Sequence, residues 1–176
     1  MFDIFLFHRD LRITDNTTLI SQLKNIKKSI IPIFIFTPEQ IDPKKNKYFS
    51  NNSVQFLIES LLELDSEIKK KGGKLYFFKG KTMTILNKIH KLIQINSIGY
   101  NIDYTPYARK RDDEIKKWCD SKQIKVFAKE DYALYDFLDG QTKNKSGKPY
   151  LVYTPFLNNV SKNLKVRPVD SFSSFK

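Results

Sequence analysis

Apolar residues along this chain follow two alternating rhythms. Short unbroken runs, rich in β-branched and aromatic residues, occupy Asp3 to Phe7, Ser29 to Phe36, Leu75 to Phe78, Ser97 to Ile102 and Ile124 to Ala128. Runs of this length, apolar on both faces, suit strands inside a sheet covered on both sides. Pro32 removes a ladder donor, so the second run is expected to carry it near its start. Between the runs the apolar spacing changes to three and four. Leu19 and Leu23 mark a short helix after the capping cluster Thr14-Asp15-Asn16. Val54, Leu57, Ile58, Leu61, Leu64 and Ile68 predict the longest helix, with Ser53 as its cap, Lys69-Lys70-Lys71 at its negative end and Gly72-Gly73 as its stop. Before it, the stretch from Thr37 to about Asn52 reads as a lysine- and asparagine-rich loop. Ile85, Leu86, Ile89, Leu92 and Ile93 predict another helix. Thr105-Pro106 opens the next, the threonine as cap and the proline where its absent N–H costs nothing.

Strand and helix alternate five times. That predicts an α/β fold: a five-stranded parallel sheet in a Rossmann-like, doubly wound three-layer sandwich. The pattern changes after Asp131. Residues 1–131 read as the α/β domain and 132–176 as an extended connecting segment. Within that segment Gly140 to Lys148 is polar, Tyr150 to Leu164 is rich in aromatics, and Arg167-Pro168-Val169-Asp170 with the following serines has a linker's composition. The expectation is a chain that stops where a second domain would begin.

Composition narrows the function classes. With 40% hydrophobic and 28% charged residues the chain reads as soluble and globular. No apolar run approaches a membrane span, and no basic flank precedes the first run as in a secretory signal, so an intracellular, soluble protein without a membrane partner is expected. One cysteine, Cys119, excludes an internal disulfide, and two histidines are too few soft ligands for zinc. A formal charge of +12 suits an anionic partner such as nucleic acid. Its lysines are scattered, however, and docking to an acidic protein fits as well.

The familiar nucleotide signatures are absent. No Gly-x-Gly-x-x-Gly follows the first strand, and there is no Walker loop and no Gly-x-Ser-x-Gly elbow. His90 reads as a partly exposed helical residue, and Cys119, after Trp118, as packing. Two clusters stand out by position. His8, Arg9, Asp10 and Arg12 end the first strand, and Tyr100 to Asp112 ends the fourth. In a parallel sheet both emerge at the carboxyl edge, where Phe36 and Thr37 also arrive, so they can converge on one crevice. Aromatic walls, two acids (Asp10 and Asp103) and fixed arginines would suit a planar heteroaromatic ligand. Against this, Asp10 and Arg12 could simply tie a loop by salt bridges. Arg109 and Asp113 could be a helix-surface pair, and Arg111 and Asp112 are open to the same reading.

Three segments carry a family resemblance. Phe7-His8-Arg9-Asp10-Leu11-Arg12-Ile13-Thr14-Asp15-Asn16 resembles the opening motif of the DNA photolyase and cryptochrome family. Tyr104-Thr105-Pro106-Tyr107-Ala108-Arg109-Lys110-Arg111-Asp112 and Lys148-Pro149-Tyr150-Leu151-Val152-Tyr153-Thr154-Pro155-Phe156 resemble its second and third. The resemblance implies an amino-terminal α/β domain able to hold a light-harvesting chromophore. It also implies a helical carboxyl-terminal domain, or a separate chain, that binds FAD and damaged DNA. Repair would be electron transfer from photoexcited reduced flavin to a pyrimidine dimer. This chain would then reach FAD only through that other domain and DNA only indirectly, and would be inactive alone. A cryptochrome-like, non-catalytic signalling module is the alternative. Carried over from the family, His8, Arg9, Asp10, Leu11, Asp103 and Tyr104 are expected at the chromophore, with His8 where many relatives have arginine, and Phe36 is expected to join them from the sheet edge. Tyr107 and Ala108 replace the asparagine and glutamate that contact a folate, so the resemblance favours a deazaflavin or flavin over folate, or no pigment at all.

Overall fold

The computed structural model describes residues 1–26, 29–137 and 140–175. The chain runs β1 (Phe2–Phe7), α1 (Thr17–Asn25), β2 (Ile30–Phe36), α2 (Pro38–Ile41), α3 (Asn51–Lys70), β3 (Tyr76–Lys79), α4 (Thr82–Ile93), β4 (Ile95–Asn101), α5 (Pro106–Ser121), β5 (Lys125–Lys129) and α6 (Tyr153–Asn163). The five strands form one sheet in the order β3-β2-β1-β4-β5, every neighbouring pair parallel. The chain winds outward from β1 to β3, then returns to place β4 on the other side of β1. The switch in winding direction therefore falls between β1 and β4, where doubly wound sheets open a crevice.

Alternation along β1 builds two cores. Ile4 and Leu6 face α4 and α5, packing with Ile33, Leu86, Ile98 and Ile115. Phe5 and Phe7 face α1 and α3, packing with Leu19, Phe34, Leu61, Leu64 and Ile68. A strand buried on both faces has no room for the usual polar alternation, which is why its sequence is a continuous apolar run.

Several local expectations shift. The longest helix starts at Asn51 with Ser50 at the cap, ahead of the predicted Ser53. Only its second half covers the sheet, and Ile58 is 42% exposed. The predicted loop after β2 holds the short α2, where Gln40 Oε1 accepts the Thr37 backbone N–H at 3.0 Å and Pro38 fills the first helical position. Pro32 lies third in β2, opposite Phe5, one residue before β3 begins to pair at Ile33. The flank towards β3 is unpaired at that point, so the lost donor is tolerated.

The largest departure is beyond Asp131. The expected extended segment contains α6, and its linker-like end is docked. Arg167 pairs with Asp15 and Asp131, and Asp170 with Lys24 at 2.5 Å. Phe175 donates its N–H to the Lys71 carbonyl (3.1 Å) and is 1% exposed, its ring edge-on to Phe172. Composition averaged over the tail conceals two phenylalanines three residues apart, which is all that docking requires. Leu138, Asp139 and Lys176 of that segment lie outside the described residues.

Candidate functional site

The charged residues after β1 divide into two groups. Asp10, Arg12, Asp15 and Asn16 form a polar knot in which Asp10 and Asn16 are buried and Arg12 and Asp15 half-buried. The Asp10 carboxylate is 2% exposed and receives the His8 backbone N–H (3.2 Å), Asn101 Nδ2 (2.6 Å), Asn16 Nδ2 (3.3 Å) and the Tyr132 hydroxyl (3.2 Å). Burial raises its pKa, and those bonds partly restore the charged form. Asn16 also caps α1, its Oδ1 accepting the Leu19 N–H. Asp131, after β5, pairs with Arg12 at 2.5 Å and accepts from the Thr17 backbone N–H at 2.9 Å. Together these side chains fasten β1, α1, β4 and β5 at the carboxyl edge. The loop-tying reading of Asp10 and Arg12 thus describes their contacts.

A different geometry lies under the first turns of α5. Thr105 caps this helix, its Oγ1 accepting the Ala108 N–H at 3.2 Å, with Pro106 following as the sequence predicts. Asp103 Oδ1 accepts the Tyr104 N–H (2.6 Å) and lies 3.5 Å from Arg9 Nη1. On the buried side of α5, Arg111 Nε donates to Asp112 Oδ1 at 2.8 Å. Next in the alternation after Ile4 and Leu6, His8 turns to the same face, its ring centroid 6.0 Å from that of Tyr100. Both His8 ring nitrogens, Arg111 Nη2 and Asp112 Oδ2 are buried without a hydrogen-bond partner. Tyr100, Asp103 and Asp112 border a cavity of about 480 Å³ floored by Val126 and Ala128. Unpaired buried polar atoms cost roughly 1–3 kcal/mol each, and of the three residues that carry them Asp112 lines the cavity while His8 and Arg111 do not.

The electrostatics are set by burial. Desolvation and the Arg111 charge push the His8 pKa well below its usual value, so the ring is neutral at pH 7, although the Asn101 backbone acts weakly the other way. Burial raises Asp112 to about 6, against the pull of Arg111. Tyr100 is raised by burial and stays protonated. The set offers donors, an acceptor and an aromatic wall, which fits a planar polar heterocycle. Among the described residues no cluster of His, Cys, Asp or Glu could hold a metal ion.

The predicted site residues do not all meet. Arg9 joins Asp103 and stacks on Tyr132, its guanidinium carbon 4.2 Å from the ring centroid. With Asp10 and Leu11 it lines a second cleft, of about 560 Å³, against Phe56 and Ser60 of α3. Phe36 packs on the α3 side against Phe34 and Phe77, away from His8. Tyr104 points outward, its hydroxyl 2.5 Å from Glu130. A third cavity, of about 520 Å³, lies beyond β5 between Thr17, Lys129 and Arg167, and Thr17 and Arg167 both donate to Asp131. The stretch Tyr100 to Asp112 stands out in the sequence, but Tyr100, Arg111 and Asp112 are not among the residues expected at the chromophore. One signal did exist: Ala108, Arg111, Asp112 and Ile115 share one helical face, and Ala108 and Ile115 are buried. Thr37, the cap of α2, reaches this side too, its Oγ1 3.4 Å from the Tyr107 hydroxyl. His90 caps a strand start, its Nδ1 accepting the Ile95 N–H at 3.1 Å. Cys119 is buried, its thiol pushed up to about 12, and inert.

The fold and this edge have close counterparts. Residues 3–173 match the DNA photolyase family. Cryptochrome-1 of Aedes aegypti is 31% identical over 163 residues, which cover 90% of this chain and 29% of that protein. The deoxyribodipyrimidine photo-lyase of Buchnera aphidicola (subsp. Acyrthosiphon pisum) is 31% identical over 92% of this chain and 33% of its own length. Among solved structures, an archaeal photolyase from Sulfolobus tokodaii, described with two FAD molecules and a novel light-harvesting cofactor, superposes with a TM-score of 0.83. It is 38% identical, and the match covers 99% of this chain and 37% of that one. The chain therefore spans about a third of the length of these relatives. It belongs to the DNA photolyase and cryptochrome family and corresponds to that family's amino-terminal α/β domain.

Proposed function

We propose that this domain is the light-harvesting part of a deoxyribodipyrimidine photolyase and holds a flavin-type pigment in the crevice under α5. The observation that carries this reading is the cavity beside α5, bordered by Tyr100, Asp103 and Asp112, in which Asp112 keeps a buried oxygen without a partner. A ligand ring there would recover hydrogen bonds that the protein alone leaves unmade. The similarity to an archaeal photolyase described with a second FAD and a light-harvesting cofactor supports a flavin over a folate. When bound, such a pigment absorbs light and passes excitation to a catalytic flavin. The chain's own residues orient it: Tyr100 as wall, Asp103 and Asp112 as polar contacts, the Asp10 knot as rigid support. FAD and the lesion would be handled by an FAD-binding helical portion, continuous with this chain or supplied as a separate chain.

Fluorescence titration with riboflavin, FMN and a deazaflavin tests the reading. Saturable 1:1 binding is expected, with energy transfer to FAD once an FAD-binding portion of a relative is added. Absence of saturable binding by any of them would remove the antenna role. A second reading, a non-catalytic cryptochrome-like module, draws on the mosquito cryptochrome similarity. Light-dependent dimer repair by the reconstituted pair would exclude it.

A further inference from the structure

The segment Lys148 to Phe156 takes no part in the crevice, yet its apolar side chains lie bare. Leu151 is 99% and Tyr153 69% exposed, with Val152 and Leu157 also in solvent. The backbone around them is nonetheless well tied. Asn144 Oδ1 accepts the Ser146 and Lys148 N–H groups, both at 3.0 Å, and the Asn144 N–H donates to the Lys148 carbonyl at 2.9 Å. Asn159 Nδ2 joins α6 to the Gln141 carbonyl at 3.2 Å. Tyr150 and Tyr153 lie against Phe156, their ring centroids 6.1 and 6.5 Å from its own. Along α6 the apolar positions Tyr153, Phe156, Leu157 and Val160 form one stripe at helical spacing. Only Val160, at the far end of that stripe, is buried. A helix of 11 residues is marginal on its own, and most of this one's stripe faces water. A contiguous apolar face held in shape from behind marks an interaction surface.

Charge selects what covers it. Between Gly140 and Val169 the chain holds Lys143, Lys145, Lys148, Lys162 and Lys165, all exposed, together with Arg167, and no acidic residue. A second copy would set these cations against themselves, and like charges across an interface are costly. A nucleic-acid backbone would satisfy the lysines but leave Leu151, Val152 and Leu157 uncovered. An apolar protein face rimmed by carboxylates answers both demands. The relatives described above have about two-thirds of their length outside the match, and the family match runs through this segment to residue 173. We infer that the Tyr150–Leu157 surface is where the FAD-binding portion docks, through an apolar helical face with an acidic rim. Leu151 and Tyr153 are its anchors, and the lysines set its orientation. This rests on the reading that such a portion works with this chain, and not on a pigment in the crevice.

The test reads thiol accessibility in Leu151→Cys by maleimide labelling, with rates referred to the same variant denatured. Cys119 is buried and gives little background. Labelling is measured on the chain alone and on a chimaera, purified with FAD bound, in which this chain replaces the matching third of the Sulfolobus tokodaii photolyase. It should be fast in the lone chain and roughly tenfold or more slower in the chimaera, where a covered site must open before it reacts. Equal rates in both, with FAD held, would overturn the docking surface. Slowing in the lone chain as its own concentration rises would assign the surface to a second copy, and slowing by duplex DNA would assign it to nucleic acid; either overturns the inference. A chimaera that fails to hold FAD passes the decision to the intact archaeal photolyase, with cysteine placed at the position aligned with Leu151. Protection there supports the surface, and labelling as fast as in the lone chain overturns it. Flavin titration of the crevice is a separate readout, so protection without flavin binding would remove the antenna role and leave this surface standing.

Discussion

At the scale of single residues, Asp112 links the crevice to pH. Its carboxyl is raised to about 6 by burial, and the charged and titratable groups around it are Arg109, Arg111, Asp113 and Lys116 on its own helix, Asp103 and Arg9 at the β4–α5 junction, His8 after β1 and Tyr100 from β4. Burial and the Arg111 charge hold His8 towards its neutral form. A ligand N–H needs the charged carboxylate, so flavin affinity should be flat above pH 6. Below it, affinity should fall by up to about tenfold per pH unit. Folding stability moves oppositely. A carboxyl whose folded pKa is raised contributes stability below its unfolded value, and that contribution is lost as pH rises through about 6. The stability of wild type relative to Asp112→Asn should therefore improve from pH 7 to pH 5 while flavin affinity drops. Titrations and thermal melts at matched pH values check both directions. Two curves moving together would mean that Asp112 does not touch the ligand. The sequence displayed the motif around Asp112 but not its orientation. Whether Arg111 and Asp112 face solvent or the crevice depends on the helix rotation fixed by Ala108, Ile115 and Cys119.

At the scale of elements, the strands and the order of helices are legible because burial on both faces leaves few polar residues in them. The ends are less so. Cap positions follow from packing as much as from local chemistry, so Ser50 rather than Ser53 precedes α3, whose first turns project past the sheet. The tail was unreadable for a different reason. Its anchors, Arg167, Asp170, Phe172 and Phe175, bond to residues about a hundred or more positions earlier, and local pattern carries no trace of that. Phe175 fits against Gly73, where a Cβ would approach Ile68 Cγ2 to 2.8 Å and the Phe175 ring to 3.0 Å. Glycine is required there for space, so the docking belongs to the native core. Phe175→Ala should lower unfolding free energy by about 3 kcal/mol, as for other buried aromatics, with the far-ultraviolet spectrum unchanged. Denaturant midpoints measure this. A change below about 0.5 kcal/mol would show that the tail contributes nothing to folding.

At the scale of the whole molecule, net charge and architecture make separate demands. The +12 charge attracts polyanions, yet exposed lysines sit on α4 (Lys88, Lys91), α5 (Lys110, Lys116, Lys117) and the edge strand β5 (Lys125, Lys129), not along one track. Such a distribution supports non-specific attraction to duplex DNA without a registered footprint. The crevice, if it receives a pigment, is unavailable to an extruded base. The domain alone should then bind duplex DNA weakly and lose roughly two decades of affinity between 50 and 200 mM salt, as for about four neutralised phosphates. It should also show no preference for a duplex containing a pyrimidine dimer. Competition between damaged and undamaged duplexes at fixed salt measures this directly. A salt-resistant preference for the damaged duplex would place lesion recognition in this domain and displace the division of labour proposed above. Equal, salt-sensitive binding leaves that recognition to the FAD-binding portion, with this domain's charge serving only to keep the assembly near DNA.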